Sequence, residues 1–386
     1  MPLSGLQDEL TALDEKGLRR HRRTRDTPQS AHVTVDGKNY VAFCSNDYLG
    51  LANHPDLIAA ARDGATTYGV GAGASHLVLG HTRAHEQLEQ QLAAFVGLPR
   101  ALLFSTGYLA NLGVVTALVG REDAVFADRL NHASLNDACL LARAQFKRYA
   151  HNDLAQLERL LAATKARRKL IVADAVFSMD GDIAPVPALL ALAERFDAWL
   201  LLDDAHGFGV LGAQGRGVLE HFEVHHPRVI YMATLGKAAG VFGAFVAGDA
   251  TLIETLMQRA RSYIYTTAMP PLLACAVAKS VELIAAGASL RKQLAENIIQ
   301  LNQLVAHDLP EGWQWLPSRT AIQPLVIGDN RAATDVAEKL AVRGVLVPAI
   351  RPPTVPQGTA RLRISLSAAH TSDDVQLLCA ALRACH

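Results

Sequence analysis

The residues best suited to chemistry in this 386-residue chain fall in two short stretches. One is Thr234-Leu-Gly-Lys237, which follows the apolar run Val229–Met232. Between Arg228 and Asp249, Lys237 is the only charged side chain. A lysine set among Gly, Ala, Val and Phe is poorly solvated, which disfavours the ammonium and frees the amine as a nucleophile. A Schiff-base lysine needs that setting; taken alone, Lys237 could equally be a strand-end lysine whose head reaches water. The other stretch is Asp203-Asp-Ala-His206. Asp203 closes the apolar strand Trp199–Leu202, with no lysine or arginine nearby in sequence. A buried carboxylate left unpaired costs on the order of 3–5 kcal/mol, so Asp203 calls for a cation. A protonated pyridine nitrogen would serve, and pyridoxal phosphate carries one on which its electron-sink behaviour depends. His206 can then reach that ring's phenolic oxygen. A helix-capping aspartate beside a satisfied histidine is the plainer alternative.

Other residues would complete such a site. Thr106-Gly107-Tyr108 stands at a strand-to-helix junction, where free N–H groups and the helix dipole favour a phosphate. Thr234 can add a hydroxyl to the same anion. His132 follows another strand and can lie flat over a heteroaromatic ring, and Ser178 can hydrogen-bond the cofactor. No G-x-S-x-G elbow, H-E-x-x-H helix or Walker loop competes. The glycine-rich stretch Gly69–His76 does not have the form of a dinucleotide loop. The five cysteines are scattered without a Cys-x-x-Cys pair, so neither a disulfide framework nor a metal site is expected.

The elements that must position these residues follow a pattern. From about 80 to 250, apolar strands (101–105, 124–127, 170–173, 199–202, 229–232) alternate with helical segments (84–96, 109–119, 153–164, 187–196). Buried strands with helical crossovers indicate an α/β domain, its mostly parallel sheet covered on both faces. Ligands then sit beyond the carboxyl ends of the strands, where every polar cluster above falls. A smaller α+β domain follows, with helices 288–307, 331–343 and 372–384 and strands near 322–327, 345–348 and 362–366. At the start, residues 1–28 read as an amphipathic helix whose end, 17–25, carries five arginines, suited either to solvent or to an anion. Ala31–Phe43 reads as a hairpin around Asp36-Gly37. The expected division is 1–45, 46–285 and 286–386. Lysine plus arginine equals aspartate plus glutamate, 37 each, so no net field draws nucleic acid or an anionic membrane. The start lacks a signal-peptide h-region and the apolar run 272–278 is too short to span a bilayer, so the cytoplasm is expected.

In order and spacing, Asn46-Asp-Tyr-Leu-Gly50, Ser178-Met-Asp-Gly-Asp182, Asp203-Asp-Ala-His-Gly207 and Thr234-Leu-Gly-Lys-Ala-Ala-Gly240 resemble the α-oxoamine synthases. These are fold-type I pyridoxal-phosphate enzymes that condense an amino acid with an acyl thioester, and the resemblance spans roughly residues 15–370. It implies that Lys237 holds the cofactor aldehyde and Asp203 pairs with the pyridinium. It also implies that His206 and Ser178 contact the ring oxygen and His132 stacks on the ring. Gly107, Tyr108 and Thr234 would bind phosphate, joined across a homodimer interface by Thr266 or Thr267. Asn46 and Arg363 would hold the amino-acid carboxylate, and Arg19 and Thr354 the acyl group. The stretches Ile350–Arg363 and Ile322-Gln-Pro-Leu325 are similar to the branch that joins L-alanine to a pimeloyl thioester, on coenzyme A or a carrier protein, in biotin biosynthesis. A sister synthase using glycine, or a catalytically silent scaffold, are the alternatives. Asp174 stands where several members carry Glu, and Ser75-His76 where some read Ser-Gly or Ser-Arg.

Overall fold

The amphipathic start keeps its helix only over Pro2–Glu15 (α1), because Gly17 turns left-handed at φ 62° and the basic run 19–25 lies outside it. The structure, a computed structural model, describes residues 2–305 and 309–385. Contacts gather these into two units. One comprises 51–178 and 183–289; the other comprises 1–50, 179–182 and 290–386. The segment 1–45 and all of 286–386 from residue 290 on, read separately from the sequence, thus share a unit, while 286–289 fall in the other.

In that second unit, His32–Val35 (β1) and Lys38–Ala42 (β2) pair as the expected hairpin. Asp36 and Gly37 are both at positive φ, as its two-residue turn requires. The first unit carries a seven-stranded sheet. Its strands are Arg100–Phe104 (β3), Ala124–Asp128 (β4), Gln145–Tyr149 (β5), Lys169–Asp174 (β6), Ala198–Asp203 (β7), Val229–Thr234 (β8) and Ala244–Gly248 (β9). The order is β3-β9-β8-β7-β6-β4-β5. Only β9 runs against its neighbours. Every residue of β4 and β9 is buried, which is why these strands read as unbroken apolar runs.

Helices of the same unit include Pro55–Tyr68 (α2), Arg83–Val96 (α3) and Gly107–Leu118 (α4). α4 is apolar on nearly all sides and enters the core with β3, β8 and β9. α2 packs on a helix over Pro271–Ala286, where a Cβ on Gly64 would meet Cys275 at 2.9 Å. Close helix approach therefore requires that glycine.

The second unit closes its small sheet with Val345–Leu346 (β12), parallel to β2. A second, antiparallel sheet has the order β10-β11-β14-β13, from Gln314–Trp315 (β10), Ile322–Gly328 (β11), Ala349–Ile350 (β13) and Ala360–Ser365 (β14). The single strand expected near 345–348 is therefore two short ones, parted at Val347-Pro348, where proline offers no ladder donor. The helix expected over 288–307 runs from 288 to 305, and positions 306 and 307 lie outside the described residues. Among the described residues no single helix is long and apolar enough to cross a membrane.

Candidate active site

Six strands of the large sheet run the same way and end at one side, and polar residues beyond five of them, β3, β4, β6, β7 and β8, line a cavity of about 170 Å³. Gly107, Tyr108, His132, Ser178, Asp203, His206, Thr234 and Lys237 all face it. Lys237 sits on a turn after β8, held by Leu235 N–H to Gly243 O (2.8 Å) and Gly240 N–H to Lys237 O (2.8 Å). Gly240, at φ 70°, passes so close to Ala52 that a Cβ would stand 2.6 Å from its nitrogen. That turn is rigid, and it sets Lys237 Nζ 2.9 Å from His206 Nε2.

Asp203 is the last residue of β7 and 6% exposed. Its Oδ2 accepts from Asn111 Nδ2 at 2.7 Å and its Oδ1 from the Ala205 N–H at 3.1 Å. Asn111, on α4 and fully buried, gives its other amide hydrogen to Ser134 Oγ at 2.9 Å. Ser134 Oγ lies 2.7 Å from His132 Nδ1, so the imidazole carries its proton on Nε2. A hydrogen-bonded chain thus joins Asp203 to His132. The His132 N–H donates to both oxygens of Asp174, 3.1 and 3.2 Å. Burial and the neighbouring Asp203 charge hold that carboxyl well above the usual carboxylate range.

Asp204 works behind this wall. Its carboxylate takes the Val218 N–H (2.7 Å) and the Tyr231 hydroxyl (2.8 Å), tying the segment that follows His206 to β8. Burial pushes its pKa up to about 7. Neither Asn111 nor Asp204 was assigned a role from sequence. The available signal for Asn111 was one polar side chain on an apolar helix, four residues after Gly107 and so on the same face.

At the opposite end, Thr106 caps α4 by accepting from the Leu109 N–H, and its carbonyl takes the Ala110 N–H. The N–H groups of Gly107 and Tyr108 therefore head the helix toward the cavity. A Cβ on Gly107 would lie 2.5 Å from Thr234 Cγ2, so the cradle exists only with glycine there. The site thus has an anion receptor at one end, a buried carboxylate with no ion pair among the described residues at the other, and an amine between. Pyridoxal phosphate presents the complementary groups: phosphate, pyridinium and aldehyde.

The remaining expected residues lie elsewhere. In the second unit, Arg363 Nη1 donates to Asn46 Oδ1 (3.1 Å) and to Ser365 Oγ (2.8 Å), bringing the two expected carboxylate ligands together. Arg19 pairs with Asp14, and Arg351 donates to Gly17 O. The basic run and the Arg351–Thr354 turn are joined in this way, Thr354 N–H bonding to Arg351 O at 3.1 Å. Thr266, half-buried, and Thr267, exposed, do not line the cavity.

The chain's residues 38–382 match the aminotransferase class I and II family. A protein of Nitrosospira multiformis named 8-amino-7-oxononanoate synthase is 65% identical over 98% of this chain and 95% of its own. One of the same name from Methylobacillus flagellatus is 63% identical, over 97% and 94%. Among solved structures, 8-amino-7-oxononanoate synthase from Francisella tularensis superposes with a TM-score of 0.78 at 32% identity, covering 89% of this chain and 97% of that one. Serine palmitoyltransferase from S. paucimobilis, bound to PLP and myriocin, gives 0.92 at 29% identity, covering 99% and 96%.

Proposed function

We propose that this chain, which belongs to the aminotransferase class I and II family and stands among its 8-amino-7-oxononanoate synthases, joins L-alanine to a pimeloyl thioester. Membership makes it a pyridoxal-phosphate-dependent acyltransferase of biotin biosynthesis. The finer reaction releases carbon dioxide and a thiol, on coenzyme A or a carrier protein, and yields 8-amino-7-oxononanoate. When bound, the cofactor supplies an aldehyde for amines and a ring that accepts the electron pair left at the α-carbon.

This chain's residues do the rest. Lys237 Nζ would hold the aldehyde and, as a free amine, would take the α-proton of alanine. His206 Nε2, 2.9 Å away, orients that amine and, with Ser178 in the same cavity, would contact the ring oxygen. Asp203, aimed by Asn111, would hold the ring nitrogen in its protonated form, and His132 would lie against the ring. The N–H groups of Gly107 and Tyr108 with the Thr234 hydroxyl hold phosphate. Arg363 and Asn46 bind the alanine carboxylate; Arg19 and Thr354 bind the acyl chain.

A second copy of the chain would add Thr266 or Thr267 to the phosphate. Val70, Val78, Leu79 and Tyr265 are more than 70% exposed in this unit, an apolar surface that suits a homodimer.

The observation that carries the reading is Lys237 beside His206 in a cavity that also holds Asp203. Its test is product mass spectrometry with alanine or glycine against pimeloyl-coenzyme A and pimeloyl-carrier protein. The mass of 8-amino-7-oxononanoate with alanine is expected; faster turnover of glycine with a shorter acyl donor would move the chain to a sister activity.

A further inference from the structure

Three histidines gather away from the cavity, at 76, 81 and 85, with nitrogens within 4.8 Å of one another. The backbone arranges the first two. His76–Gly80 forms a π-helical turn, with Gly80 N–H bonded to Ser75 O at 2.9 Å. Residues five apart therefore lie over one another, and His81 Nδ1 faces His76 Nδ1 at 2.9 Å. A Cβ on Gly80 would meet Ala74 O at 2.0 Å, so glycine locks the turn.

Partners dictate the protons. Glu86 Oε2 lies 3.3 Å from His81 Nε2 and accepts its N–H, which turns the Nδ1 lone pair inward. The other Glu86 oxygen is held by Gln90 at 2.8 Å. His76 then supplies the single proton between the two Nδ1 atoms, its ring 8% exposed and stacked on Tyr263 at 4.9 Å. His85 has both nitrogens engaged: Nε2–H donates to Met269 O (2.7 Å) and Nδ1 accepts from the Thr82 N–H (3.0 Å). It forms a wall.

We propose that His76 and His81 bind one divalent transition-metal ion of the zinc, nickel or copper class, with Glu86 orienting the inner ligand. Two imidazole nitrogens bound at about 2.0–2.1 Å to one metal stand roughly 2.9 Å apart at a right angle and about 3.3 Å at a tetrahedral one. The Nδ1 pair already has the first spacing. Entry of the ion needs the shared proton to move from His76 Nδ1 to Nε2 and the two rings to turn so that both Nδ1 lone pairs, which face each other across the hydrogen bond, converge on the ion. Both rings stay neutral, and water fills the other positions. Imidazole suits these metals, and a carboxylate on the far nitrogen raises the basicity of the ligand. Cysteine spacing could not reveal the site, since only the π turn brings histidines five apart together.

The test titrates tag-free holoenzyme, freed of metal by chelator, with Co²⁺, Ni²⁺, Cu²⁺ and Zn²⁺ by calorimetry, counting ions by elemental mass spectrometry. One ion per chain is expected, tightening from cobalt through nickel to copper. His81→Ala should abolish binding. Glu86→Gln should weaken it about tenfold without changing the melting temperature of the metal-free protein. Substoichiometric uptake, or isotherms unchanged in both variants, overturns the site. Should His81→Ala fail to fold, Glu86→Gln, a half-exposed position, decides alone.

Discussion

Asn111 spends both amide hydrogens inside the site, one on Asp203 and one on Ser134. Asn111→Leu would leave the Asp203 carboxylate short of a partner, a loss of about 1–3 kcal/mol for a buried acceptor. Cofactor retention should weaken by about 5- to 150-fold, read from cofactor absorbance on dilution, with no turnover required. Wild-type retention would show that Ala205 N–H alone aims Asp203. Lys237→Ala should abolish covalent attachment, checked by borohydride reduction and peptide mass mapping; a pyridoxyl adduct on another lysine would refute the assignment. Asp204 gives a pH signature. Its folded pKa of about 7 exceeds the unfolded value of about 3.9, so its contribution is full below pH 4 and lost as pH rises through 7. Asp204→Asn should therefore gain stability over wild type progressively from pH 5 to pH 8, measured by urea midpoints; a constant offset would contradict this. Lys237, Asp203 and His206, which line one cavity, stand out in the sequence because each is an ionisable group in an apolar run. Asn111 does not, because its role depends on two partners 23 and 92 residues away.

The cradle at the head of α4 makes a prediction about elements. Gly107→Ala drives a methyl into Thr234 Cγ2 and should release phosphate-dependent cofactor binding. Adding Thr234→Ser removes that methyl and keeps the hydroxyl, so the double variant should recover retention, followed by the same absorbance assay. No recovery would mean that the Gly107→Ala change acts through something other than this contact. Strand and helix alternation was legible because parallel strands are buried on both faces. The reversal of β9 was not, since an antiparallel strand with every residue buried reads the same. The helix over Pro271–Ala286 reads in the sequence only as an apolar run, because it is apolar over much of its circumference and shows little helical period.

For the whole molecule, the exposed apolar side chains Val70, Val78, Leu79 and Tyr265 bear on assembly. On the proposed homodimer, Leu79→Asp should shift the mass by light scattering from two chains to one and reduce cofactor retention; an unchanged mass would remove this surface from the interface. The balanced charge was legible in composition. The membership of residues 1–50 in the unit of 290–386 was not. It rests on strand pairing across some 300 positions, which no local periodicity records.

That pairing has a consequence for the chain during its synthesis. β2 ends at residue 42, and the strand that completes its sheet, β12, begins at residue 345. At about 5–20 residues per second, the ribosome delivers the hairpin roughly 15–60 seconds before its third strand. The seven-stranded sheet, complete by residue 248, can form within that interval. The hairpin is thus among the last parts of the chain to find its place, and a nascent chain arrested before residue 345 would hold a finished seven-stranded sheet and an unpaired edge on β2.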